Sequence, residues 1–349
     1  MIVLKIGILT FHWATNYGAV LQCYALQQAL TQLGHDVEAI DYYPKRYKKN
    51  LFYPFKTKRI THIKRRFSEV RKEKEIAIFR TKNLKCSKYF SSNKELKNFK
   101  LDYDCVICGS DQIWNESFTR HAEHKRTYTY FLNFVPDNII KASYAASFGT
   151  TKYPEDLMSE LKSLLARFDF ISVREKTGLD ILKGAGICNA QMVPDPTLLL
   201  DKKDYEKFIE KTKKGKNAFV YMLHDRMADA DELINYAKND NYEINVCQEI
   251  GINEWLSRIY NSDVVITNSF HGIAFSIILE KQFVAFMIEG SGMNDRIHTL
   301  LDKLNLTSRI YTGDANILYQ PIEWRTVKSS LDNYRKDGYG YLTNLASKE

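Results

Sequence analysis

Short apolar runs alternate with longer amphipathic stretches along most of the chain. Val3–Thr10 is nearly continuous in apolar residues and predicts a buried strand. From about Ala19 to Leu33 the apolar positions recur at helical spacing, Gly34 closes the helix, and Asp36–Asp41 predicts a second strand. Strand, helix, glycine and strand in that order predict an α/β unit on a parallel sheet. Asp104–Cys108, Ala142–Ser147 and Phe170–Val173 extend the series. Val193-Pro194-Asp195-Pro196-Thr197 interrupts it, because two prolines do not fit inside regular structure, and reads as the edge of a first domain. A second series follows, with strands expected at Phe219–His224, Glu243–Val246, Val264–Thr267 and Phe283–Phe286. Helices are expected near Met227–Lys238, Gly251–Tyr260, Gly272–Glu280 and Asn294–Leu304. No fixed-period repeat or low-complexity segment appears. The expected fold class is α/β, with two doubly wound Rossmann-like domains facing across a cleft. The first spans 1–200 with an insert at 45–100, the second spans 201–325, and 326–349 packs back on the first.

A chain of 349 residues is long enough to bury two cores. No apolar run approaches the roughly 20 residues that cross a bilayer. Met1–Thr10 has a lysine inside a short apolar run and no small-residue cleavage site, so it reads as a strand rather than a signal peptide. Six scattered cysteines argue for a reducing compartment and a cytoplasmic protein. The net charge of +8 is unevenly spread, since residues 45–100 alone hold 20 Lys/Arg against 4 Glu. That insert is an anion-facing surface. Ile60, Ile63, Phe67 and Val70 recur at helical spacing among Lys64, Arg65, Arg66, Arg71 and Lys72, behind an aromatic approach of Phe52, Tyr53 and Phe55. Such a helix packs on its domain with a solvated basic face, or meets anionic headgroups or a pyrophosphate group. Nucleic acid is not an expected partner, because no helix-turn-helix, zinc or RNP pattern accompanies the charge.

Ligands of open parallel sheets bind beyond the carboxyl ends of the strands, and four such junctions are rich in polar and small residues. In Thr10–Gly18, Asn16 and Gly18 precede a helix whose backbone N–H groups could face an anion; a turn with a cap is the plainer reading. No GxGxxG is present there, which argues against a nicotinamide or flavin site. In Cys108–Asn115, Gly109 permits a sharp turn, Ser110, Asp111, Gln112 and Asn115 offer partners for sugar hydroxyls, and Trp114 offers an aromatic face. Cys105 and Cys108 have CxxC spacing on a buried strand without a second pair, so packing is expected rather than zinc or redox chemistry. Arg174 emerges where a strand ends, able to grip a carboxylate or phosphate bidentately or to pair with Glu175. The fourth junction is the sharpest. Asn268 and Ser269 cap a helix opened by Phe270-His271-Gly272, which sets His271 in its first turn beside backbone N–H groups, where an imidazole suits proton transfer. Gly272 allows close approach, and Asn294-Asp295-Arg296 offers a second cation. His62, His121, His124 and His298 have no matching setting, and no group shows metal-ligand spacing.

With these residues in view the chain resembles the polysaccharide pyruvyl transferase family. The elements that carry the resemblance are Asn16-Tyr17-Gly18-Ala19, Gly109-Ser110-Asp111-Gln112-Ile113-Trp114, Ala146-Ser147-Phe148-Gly149, Ser172-Val173-Arg174-Glu175, Asp195-Pro196-Thr197, Ser269-Phe270-His271-Gly272 and Asn294-Asp295-Arg296, in that order. The basic insert carries none of them. The resemblance implies a GT-B-like fold and transfer of pyruvate from phosphoenolpyruvate onto two hydroxyls of one sugar, giving a pyruvate ketal in capsular or exopolysaccharide biosynthesis. It assigns His271 as the acid and Arg174 to the donor. Ser269 stands where some members have an arginine, so Arg296 is the expected substitute. Ser269, Gly272, Asn16 and Gly18 complete the expected donor site, and Ser110, Gln112, Trp114 and Asn115 the acceptor site, with Asp111 as base toward the sugar. Phosphoenolpyruvate is a co-substrate, and neither cofactor nor metal is expected, since arginines and helix amides supply positive charge. The expected acceptor is a lipid-linked oligosaccharide, met by a cytoplasmic protein peripheral to the inner face of the cell membrane. The nearest rival is a GT-B-type glycosyltransferase using a sugar nucleotide.

Overall fold

The computed structural model describes residues 2–47, 60–119, 123, 126–212, 215–224 and 226–345, without the side chains of 46 and 60–66. The aromatic approach Phe52, Tyr53 and Phe55, the histidines 62, 121 and 124, and the basic and apolar side chains of 60–66 therefore lie outside the described residues. The chain falls into two units: 1–52, 80–199 and 333–349 form the first, and 53–79 with 200–332 form the second.

In the first unit, four strands pair in parallel: β1 (Lys5–Leu9), β2 (Asp36–Ala39), β3 (Cys105–Cys108) and β4 (Ile140–Ser143), in the order β2-β1-β3-β4. The central strands β1 and β3 are buried on both faces and read as nearly continuous apolar runs, whereas β2 alternates, with Asp36 exposed and Val37 and Ala39 buried. A short parallel pair, β5 (Ser172–Val173) and β6 (Gln191–Met192), continues the sheet through bridges from Ala142 to Phe170 and Ala146 to Val173. On the far side, bridges from Ala39 to Cys86 and Tyr42 to Phe90 add a further parallel segment. The helix Tyr17–Gln32 is buried almost all round, so it lacks the polar stripe of a surface helix. Gly34, at φ +91°, makes the left-handed turn that carries the chain from it into β2. Cys105 and Cys108 are packed at 0% exposure, and burial pushes both thiols up.

The second unit repeats the logic with β7 (Asn217–Tyr221), β8 (Glu243–Val246), β9 (Val264–Thr267) and β10 (Gln282–Ala285), all parallel, in the order β10-β9-β7-β8. The helices Ile252–Asn261, Phe270–Ile278 and Asn294–Lys303 follow the expected pattern closely. The insert is divided between the units. Its helix runs Ile60–Asn83, and the part before Arg80 belongs to the second unit: Lys72 Nζ pairs with Glu249 at 2.8 Å, Phe79 packs on Phe208 at 4.9 Å, and Glu75 lies against Gly251. Part of the basic face is thus engaged with carboxylates. The helix Trp324–Asn344 belongs to the first unit from Asn333 onward, where Arg335 Nε donates to Leu198 O and Tyr341 to Ser143 O. Among the described residues, no helix is long and apolar enough to cross a membrane.

One buried charge locks the second sheet's edge. Arg309, 2% exposed, donates from Nε and Nη2 to Phe283 O, from Nη2 to Ile317 O and from Nη1 to Gln320 O. Burial pulls its pKa down to about 10, which still leaves it charged at neutral pH. Arg309→Met strands three carbonyls, and the expected loss is about 3 kcal/mol at ~1–3 per unsatisfied group. Urea denaturation should show a lower midpoint at unchanged slope; an unaltered midpoint would mean that water replaces the guanidinium freely.

Candidate functional site

In the second unit, β9 is fully buried and ends at Thr267, whose hydroxyl donates to Tyr221 O at 2.5 Å and accepts from Ser269 N at 3.0 Å. The next side chain continues the stitching. Asn268 accepts from Leu223 N at 2.7 Å and donates to Leu223 O at 3.2 Å, tying together the loops that leave β7 and β9. Ser269 then caps the helix Phe270–Ile278, its hydroxyl accepting from Gly272 N at 3.3 Å. His271 lies in that first turn, 9% exposed, its ring edge-on to Phe270 with centroids 5.1 Å apart. The Arg296 guanidinium sits 5.9 Å from the Phe270 ring centroid. Asn294 positions the helix that carries it, bonding the backbone of Ile288 at both N and O. Ser269, His271, Gly272 and Arg296 are therefore brought together around Phe270, at a helix N-terminus that favours negative charge.

Gly272 is required by the protein itself. A Cβ there would lie 2.7 Å from Thr267 Oγ1 and 3.3 Å from Ser269 Cβ. Gly272→Ala is expected to displace the Thr267–Ser269 turn, lowering both thermal stability and activity, by about 1–3 kcal/mol in stability. A variant with unchanged melting and activity would show that the turn yields.

The first unit's carboxyl edge is built around a buried cation. Arg174, 2% exposed, donates from Nη1 to Asp195 Oδ2 at 2.8 Å and to Ser110 Oγ at 3.3 Å, with Glu175 Oε2 3.6 Å from Nε. Burial alone would lower its pKa, but Asp195, Glu175 and Asp111 raise it, so the charge is held. Ser110, at 0% exposure, also donates to Asp195 at 2.8 Å. This guanidinium is enclosed among carboxylates rather than open to an incoming anion. It also belongs to a different unit from His271 and Arg296.

The other expected residues take varied places. Asn16 caps the helix Tyr17–Gln32 by accepting from Ala19 N at 3.1 Å, and Gly18 is buried within that helix. Trp114 is enclosed at 0% exposure, donating Nε1–H to Tyr130 O and stacked 5.7 Å from Phe131, so it presents no face to a sugar. That corrects the expectation: an aromatic beside polar residues reads alike whether it points out or in. Gln112 and Asn115 are half-buried and joined at 3.0 Å, and Asn115 also accepts from Ser117 N. Asp111, half-buried between Ser110 and Gln112, has a φ of +84°, left-handed backbone that costs a non-glycine residue about 1–3 kcal/mol. Its carbonyl accepts from Ser147 N, which secures this strained turn against β4's extension. Strain of this kind gathers at sites of function.

A family model described as Polysaccharide pyruvyl transferase matches residues 16–289. The chain belongs to the polysaccharide pyruvyl transferase family. The matched span takes in Asp111, Arg174, Asp195 and His271, whereas Arg296 lies beyond it. No curated protein sequence matches the chain. Among solved structures, UDP-GlcNAc 2-epimerase from Methanocaldococcus jannaschii is similar over 99% of this chain and 100% of that one, at 12% identity and a TM-score of 0.52. UDP-GlcNAc 2-epimerase from Neisseria meningitidis, bound to UDP-GlcNAc, is similar over 99% and 100%, at 8% identity and a TM-score of 0.50. At such identities the likeness is one of fold: two Rossmann-like domains of GT-B type. Within this pyruvyl transferase family member, sequence reading paired Arg174 with Glu175 and took Asn268 for a cap; it missed Asp195 as the closer partner of Arg174 and the bonds of Thr267 and Asn268 to the end of β7 and the loop after it. The signal for these was weak, since Asp195 meets Arg174 from 21 residues away and Thr267 and Asn268 meet β7 and its loop from about 45 away.

Proposed function

We propose that this family member transfers pyruvate from phosphoenolpyruvate to two hydroxyls of one sugar in a lipid-linked oligosaccharide, within capsular or exopolysaccharide biosynthesis. The family match over 16–289 carries this reading, and the setting of His271 supports it. The donor has two anionic ends, suited to the helix N-terminus at Ser269–Gly272 and to Arg296. His271 protonates the methylene carbon, which becomes the methyl group, and the neighbouring carbon becomes electrophilic. One sugar hydroxyl adds to that carbon and the second displaces phosphate, closing the ketal. The two hydroxyl protons balance the one delivered to the methylene and the one leaving with phosphate. Asp111 accepts a hydroxyl proton. Arg174, held by Asp195 and Ser110, contributes by positioning the Ser110–Asp111 turn and by its charge. No resident cofactor enters these steps.

The test is phosphate release from phosphoenolpyruvate with galactose-, mannose- and glucosamine-terminated lipid-linked acceptors, with the product weighed for an added pyruvate ketal. Acceptor-dependent release supports the reading. Silence with phosphoenolpyruvate, together with turnover of a sugar nucleotide, would replace it by the glycosyltransferase alternative. The same reading places the protein in the cytoplasm, at the inner face of the cell membrane, through the basic 45–100 segment, each basic residue being worth about 1 kcal/mol near an anionic surface. Co-sedimentation with phosphatidylglycerol vesicles should therefore weaken on replacing Lys56, Lys58 and Arg59 with glutamine; equal binding would remove the membrane from the proposal.

A further inference from the structure

In the first unit's sheet the loops leaving β1 and β3 diverge, because the chain returns to opposite sides of β1. That makes this carboxyl edge a topological switch point, where doubly wound sheets take ligands. The loop after β1 carries Phe11 and Trp13, and the loop after β3 carries Asp111, Gln112 and Asn115 and then Phe118. These side chains form one connected group. Phe11 is edge-on to Phe118 at 6.5 Å and to Tyr130 at 4.8 Å. Trp13 is stacked on Tyr43 at 4.7 Å and on Tyr47 at 5.1 Å, and its Nε1–H donates to the Tyr130 hydroxyl at 3.3 Å. The polar groups join the rings through the loop itself: Asp111 Oδ1 accepts from Gln112 N at 2.8 Å, the Gln112 and Asn115 side chains are bonded at 3.0 Å, and Asn115 O accepts from Phe118 N at 3.1 Å. Phe118 is 47% exposed, and Phe11 and Trp13 are half-buried.

A pyranose has an apolar C–H face and a rim of hydroxyls, so it fits aromatic rings bordered by a carboxylate and amides. Trp114 cannot supply that face, being wholly enclosed. We propose that the pyranose ring of the acceptor packs on Phe118, beside the stack in which Trp13 is held, with its hydroxyls toward Asp111, Gln112 and Asn115. This rests on the reading of the acceptor as a carbohydrate, and it moves the stacking surface from the loop's own tryptophan to Phe118.

Saturation-transfer NMR on the intact protein tests it, with methyl β-galactoside, methyl α-mannoside and N-acetylglucosamine as probes. The parent should transfer saturation to the ring protons of at least one probe. Phe118→Ala, a surface change with little bearing on folding, should weaken that probe's binding about five- to tenfold. Trp13→Ala should do the same, and Trp13→Phe should restore most of it, which a merely structural tryptophan would not show. Equal binding by the parent and Phe118→Ala overturns the proposal, as does a parent that binds none of the probes. Phosphoenolpyruvate consumption, measured on the same preparations, separates the two ideas. A parent that binds a glycoside through these rings yet, given the lipid-linked acceptors, leaves phosphoenolpyruvate untouched and turns over a sugar nucleotide sinks the pyruvyl reading and leaves this site standing.

Discussion

Alanine at Asp195 is expected to lower the stability of the protein by about 3–5 kcal/mol, the cost of breaking a buried ion pair from one side. Every oxygen of this carboxylate is engaged. Oδ2 accepts from Arg174 Nη1 and Ser110 Oγ, each at 2.8 Å, and Oδ1 accepts from Thr197 N at 3.0 Å and Thr197 Oγ1 at 2.7 Å. Removing it leaves Arg174, 2% exposed, facing Glu175 at 3.6 Å with poorer geometry, and releases the turn after β6. Asp195→Asn keeps the shape and the contacts to Thr197 while losing the charge, so its loss should be smaller. Urea denaturation of the three proteins measures both. A loss under about 1 kcal/mol for the alanine variant would mean that Glu175 alone can hold the cation. The same experiment bears on function, because Arg174 braces Ser110, and Ser110 precedes the strained Asp111.

His271→Ala is expected to reduce acceptor-dependent phosphate release from phosphoenolpyruvate by about 10²–10⁴-fold, the usual contribution of a positioned acid. The loss should fall on kcat, with KM for phosphoenolpyruvate changed much less, since anion binding rests on Arg296 and the helix N-terminus. His271→Gln preserves volume near Phe270 and serves as the folding control; it should melt like the parent and be as inactive as the alanine variant. Arg296→Ala should show the opposite pattern, a raised KM with kcat better kept. Full turnover by both His271 variants would keep the family activity and discard this histidine as its acid.

The two predictions differ in how far the sequence supports them. His271 was legible because most of its setting is local: an apolar strand, a cap residue at Ser269, and a helix opening within four positions. Arg174 was visible too, but its partner Asp195 lies 21 residues away, between two prolines. Only the pairing of β5 with β6 carries the chain back so that the two meet. The insert helix was legible from its spacing, whereas its engagement with Glu249 and Phe208 was not.

By itself the sequence determined where parallel strands and their following helices lie, because buried strands are short apolar runs and helix starts are written in adjacent cap residues. It likewise determined the family, through motifs strung in order along the chain. The tertiary structure alone decided which side chains at those strand ends face inward. It closed Trp114 behind Phe131 and Tyr130, committed Ser110 and Arg174 to Asp195, and made Gly272 a necessity of Thr267's approach. It also left Phe118 exposed at the switch point, beside a half-buried Trp13. The physical reason is that periodicity encodes burial relative to one element's own axis, whereas contacts at a sheet's edge depend on strand order, and strand order is set by pairings between residues far apart in the chain.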